Sequence, residues 1–137
     1  MVTKSEKIKT WLSGCKIIRI EDIDTDRLEE GADRIGVYKQ AQRDVTEFVD
    51  GSKIVSEYYY FLVRKDAQFE RYRKWSNNFM AVLEDWIEGQ DRIGNLPDVE
   101  GIESVFIANG YYMIDIENDD AVYQISIGIT YHKKGIN

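Results

Sequence analysis

The chain has 137 residues, of which 43% are hydrophobic and 12% aromatic, enough apolar material for one core and too short a chain for two large ones, so one domain over 1–137 is expected. Its formal net charge of -7 and pI of about 4.8 exclude a groove that holds nucleic acid by neutralising phosphates. No run approaches the roughly 18 apolar residues of a membrane span, and MVTKSEKIKTWLSG lacks the apolar centre of a signal peptide, so a cytoplasmic location and no membrane partner are expected.

In chain order, KSEKIKTWL (4–12) sets Ile8, Trp11 and Leu12 at helical spacing, and Ser13-Gly14 supplies a stop. Cys15 is the sole cysteine, which excludes an intrachain disulfide and thiolate clusters within one subunit, and reads as a small core residue. KIIRIEDI reads as a strand running into the acidic stretch EDIDTDRLEE (21–30).

From Arg34 to Lys65 β-favouring residues dominate, split into two arms by Asp50-Gly51-Ser52. The second arm, IVSEYYYFLVRK, is apolar on both faces and is expected to be central or covered on both sides. Residues 69–90 then shift to a period of 3.6, with Phe69, Tyr72, Trp75, Phe79, Val82, Leu83 and Trp86 on one stripe. Glu70, Arg73, Lys74, Asn77, Glu84, Asp85 and Glu88 form the opposite face, so this long amphipathic helix should lie across a sheet.

Pro97, the only proline, follows in a turn. SVFIA and YYMIDIE are expected to form a hairpin about a tight type I′ turn at Asn109-Gly110, with a second turn at Asn118-Asp119-Asp120. The last strand puts Tyr123, Ile125, Ile127, Ile129 and Tyr131 on one face. The whole reads as α+β: a short N-terminal helix, a mainly antiparallel sheet and one long helix packed across it.

The spacing of Asp22, Asp24 and Asp26 resembles the opening of a calcium loop, but its sixth position, which needs a glycine, is Arg27, and its twelfth, which needs a glutamate, is Asp33. No metal or cofactor is therefore expected, and the acidic stretch reads as a solvated loop. His132, the single histidine, has no Gly-x-Ser-x-Gly elbow before it, and the glycines lack a phosphate-cradling spacing. A hydrolase using paired acids would need a buried carboxylate pair; no catalytic residue is expected.

Two stretches carry a resemblance. Phe48-Val49-Asp50-Gly51-Ser52 with its following aromatic strand, and Trp86-Ile87-Glu88-Gly89-Gln90-Asp91-Arg92-Ile93-Gly94-Asn95-Leu96-Pro97, resemble the Asp-Gly-Ser turn and the helix-end signature of the tail terminator, or minor capsid, family of siphophages and prophages of Gram-positive bacteria. The resemblance implies a non-enzymatic structural protein, made in the host cytoplasm and carried in the virion tail. It would form a hexameric ring that caps the tail tube, touching tail tube protein, head-tail connector protein and DNA only in transit.

Asp50, Gly51, Trp86, Gly94, Leu96 and Pro97 are the motif positions. On this reading Asp22, Asp24, Asp26, Glu29 and Glu30 form an acidic loop, ordered on assembly, that faces the channel or the tube, where like charge keeps phosphates from sticking. An exposed strand edge and the aromatic arm Tyr58–Phe61 are the candidate subunit contacts. The alternative is a small non-catalytic protein-binding domain that does not form a ring.

Overall fold

A computed structural model describes residues 2–31, 33–117 and 119–135, with the backbone alone at Glu117. It is an α+β fold in two layers: a five-stranded sheet of order β1-β2-β3-β5-β4, with two helices on one face. The strands are β1 (Ile23–Thr25), β2 (Arg34–Glu47), β3 (Lys53–Asp66), β4 (Ile102–Glu117) and β5 (Asp120–Lys133), and the helices are α1 (Lys4–Leu12) and α2 (Glu70–Ile93). β1 pairs with β2 in parallel and every other pairing is antiparallel.

Local chemistry accounts for the helix ends. Thr3 Oγ1 accepts from the Glu6 amide at 3.2 Å and opens α1, while Gly94, at φ 78°, closes α2 in the left-handed conformation. The core lies between helices and sheet. Ile8 and Leu12 of α1, and Met80, Leu83 and Ile87 of α2, bury fully against Phe61, Ile125, Ile127 and Ile129. The face of β5 from Tyr123 to Tyr131 is buried as its alternation predicts.

Four expectations are corrected. Lys16–Ile20 is not a strand: the Cys15 amide bonds back to Leu12 O and the Ile18 amide to Cys15 O, both at 3.0 Å, in successive turns. Cys15 and Ile18 are pegged into the core at that spacing while Ile17 and Ile20 stay exposed, so packing of a turn overrides β propensity. A 3-10 turn at Ile20–Asp22 leads into the short β1.

Asn109-Gly110 makes no hairpin. Neither residue has positive φ, which a type I′ turn requires at both positions, and the chain runs on as β4 with register shifts around Asn109. β5 pairs with β4 along its length, from Tyr131 to Asp120, and a hairpin there would strip half of β5 of its partner. Of the second expected turn, Asn118 lies outside the described residues, and Asp120 is the first residue of β5.

On α2 the buried stripe is Ser76, Met80, Leu83 and Ile87, with Phe79 and Trp86 partly buried. Trp75 is 64% exposed, and Phe69 and Val82 are also exposed, so the true stripe is rotated from the aromatic one. Lastly, β3 is central, as expected, but the Tyr58–Phe61 stretch is not a free arm: Tyr59 and Phe61 are fully buried, and Tyr58 and Tyr60 are partly exposed.

Candidate functional site

The first part of the acidic segment is drawn onto Arg34. Parallel pairing sets Asp24 opposite Gly36, which brings the Arg34 guanidinium 2.7 Å from Asp24 Oδ2 and 3.5 Å from Asp22 Oδ1. Arg34 also donates to the Glu21 carbonyl at 3.1 Å, and Arg19 Nε lies 3.3 Å from Asp22. Further on, Arg27 Nε stands 3.1 Å from Glu29, whose carbonyl accepts from Arg64. Asp22 and Asp24 are thus half-buried and paired, Glu29 is paired at the rim, and of these five carboxylates Asp26 and Glu30 are the two on exposed residues.

The first motif turns the tip of the β2–β3 hairpin. Asp50 Oδ1 accepts from the Ser52 amide at 2.9 Å and from its hydroxyl at 2.6 Å, bonds that hold the Asp50 carboxyl below its ordinary pKa. Gly51, at φ 85°, takes the left-handed position that this turn needs. The tip presents Phe48, half exposed, and Val49, fully exposed. Every residue from 41 to 50 is exposed.

The second motif binds the end of α2 to its neighbours. The Trp86 ring lies 4.9 Å from that of Trp11, whose indole N–H donates to the Asn95 carbonyl at 2.8 Å. Asp91 accepts from the Val105 amide of β4 at 3.0 Å. Leu96 packs on the core and Pro97 is buried. Gly94→Ala should cost about 1 kcal/mol, since alanine resists the left-handed cap; urea unfolding would show a lower midpoint at unchanged slope, and an unmoved midpoint would make the cap dispensable.

Sequence reasoning missed one charged group. Glu57 of β3 is buried on the helix-covered face. Lys4 Nζ lies 3.0 Å from its Oε1, the Tyr131 hydroxyl donates to the same oxygen, and Lys39 and Arg43 stand at 3.6 and 3.9 Å. Burial disfavours the Glu57 charge, but the bonds from Tyr131 and Lys4 and the surrounding cations prevail and hold its pKa below the ordinary value. The groups that bond and surround it are cations and a phenol, an arrangement that fastens α1 to the sheet, and Asp26 lines the same cleft. The signal was legible: a glutamate among Val55, Tyr59, Phe61 and Val63 on an apolar face.

Among known proteins, no family model and no curated relative matches the chain.

Proposed function

We propose that this chain is a structural protein of a phage tail, acting at the head-tail junction. Copies close into a ring, hexameric by the family resemblance, that caps the tail tube, blocks addition of further tube subunits and offers its other face to the head connector. The observation that carries the reading is the β2–β3 arm. Its tip is the Asp50-Gly51 motif through which the sequence resembles the terminator family, and its β2 side is exposed from residue 41 to 50.

The β2 side of the arm contributes little to the core of a single copy, while its β3 side is held in the sheet by β5, and the exposed side suits contact between copies. The exposed carboxylates of Asp26 and Glu30 suit a channel through which DNA slides without binding. The mechanism is geometric, with no bond made or broken.

The test is tail length. In a phage that carries this chain, interrupting its gene should give tubes beyond the normal length that fail to join heads, and supplying the chain in trans should restore both. Normal tubes joined to heads in its absence would remove the reading.

A further inference from the structure

The two edges of the sheet are finished differently. At one edge β1 covers β2 only from Ile35 to Val37, so the arm of β2, paired with β3 from Arg43 to Glu47, is free along its outer side. At the other edge β4 is protected in its first half by α2: Asp91 accepts from the Val105 amide and Glu84 from the Tyr111 amide. Beyond Tyr111 α2 supplies no such carboxylate among the described residues, and the Ile116 amide turns to the carboxylate of Asp115 beside it.

That unprotected half is apolar. Tyr112, Met113, Ile114 and Ile116 are 51%, 48%, 41% and 56% exposed. Ile102–Glu117 contains no lysine or proline, two of the residues that keep an edge strand from pairing, and within Tyr112–Ile116 the one charge is Asp115. The register shifts in β4 bend it without covering these side chains.

We propose that the open half of β4, Tyr112–Ile116, receives the β2 arm of a second copy of this chain as an added strand. Charge selects the arm over a second β4. From Glu84 to Asp115 the sequence holds a single base, Arg92, against acids that include Glu84, Asp85, Glu88, Asp91 and Asp115. Pairing β4 with β4 sets this acidic strip against itself. The arm balances Lys39 and Arg43 against Asp44 and Glu47, and brings apolar Val45 and Phe48.

Arm and acceptor lie at opposite edges of one sheet, so the contact is head to tail and closes when the rotation between copies completes a circle. The inference rests on the ring reading above and names its subunit contact.

Two variants test it, both at exposed positions: Ile114→Glu on the acceptor edge and Val45→Glu on the arm. Each alone should self-associate on the order of a hundredfold more weakly than the wild type, with a urea unfolding midpoint equal to that of the wild type when both are diluted to monomers. Mixed, they should form a one-to-one heterodimer by native mass, because the intact arm of one fits the intact edge of the other and neither can extend further. A mixture that stays monomeric, or Val45→Glu alone assembling like the wild type, overturns the proposal. So does Val45→Glu forming a dimer while Ile114→Glu does not, which would reveal β4–β4 pairing. A wild-type chain that remains monomeric at millimolar concentration also overturns it, whereas the tail-capping reading stands or falls on tube length.

Discussion

Replacing Glu57 with glutamine is expected to lower the unfolding free energy by about 1–3 kcal/mol near neutral pH, the range for a hydrogen bond to a buried charge, and to flatten the acid limb of the stability profile. Glu57 is only 3% exposed, and its Oε1 takes both the Lys4 ammonium and the Tyr131 hydroxyl. Glutamine keeps the shape, but it loses the charge that Lys4, Lys39 and Arg43 surround. Those cations are partly exposed and can turn to water, which limits the loss.

The sign follows from the depressed folded pKa. An unfolded glutamate titrates near about 4.3, so the contribution of Glu57 is fully present above that value and fades as pH falls through the lower folded pKa. Lys4 shows the converse: burial works against its charge, the bonds to Tyr131 and Glu57 prevail, and its raised pKa makes its contribution fade only at alkaline pH. Urea unfolding of wild type and Glu57→Gln between about pH 3 and 7 checks this. The difference should shrink in acid; one that stays constant would assign the loss to packing instead of charge.

The alternation of β5 was legible because every inward residue from Tyr123 to Tyr131 is large and apolar, and burial asks for nothing else. The long helix was legible in its existence but not in its rotation. Aromatic residues occur around much of α2, and Met80, a less conspicuous residue than Trp75, is the one buried. Amphipathic period identifies a helix; only the surface it meets decides which stripe goes inward.

Asn109-Gly110 failed as a turn for a related reason. Two-residue turn chemistry is local, whereas the pairing of β4 along β5 is set by a partner strand that no local window contains. The acidic segment posed the same difficulty. Asp24 meets Arg34 ten residues on because a three-residue parallel strand folds one beside the other, and parallel pairing across so short a connection leaves no mark in periodicity.

Two glycines with nearly equal steric constraints should respond very differently to alanine. At Gly101 an added Cβ would stand 2.1 Å from the carbonyl oxygen of His132, and φ is +76°. That oxygen belongs to backbone, and the adjacent His132 amide is fixed by its 2.8 Å bond to Gly101 O, so neither strand can yield without opening the end of the sheet. Left-handed strain and overpacking together should cost Gly101→Ala about 3 kcal/mol.

At Gly128 the Cβ would come 2.2 Å from the ring of Phe106, but that ring lies on the sheet face that no helix covers and is only partly buried. It can swing outward, giving up its edge-on contact with Tyr58 at 6.0 Å. The loss is about 1 kcal/mol, partly offset because alanine in a strand restricts the unfolded chain more than glycine does. Urea midpoints should therefore rank Gly101→Ala well below Gly128→Ala, and in a Phe106→Ala background Gly128→Ala should become neutral or stabilising. If Gly128→Ala proves as damaging as Gly101→Ala, the Phe106 ring is held in place, and the open face of the sheet is more rigid than its exposure implies.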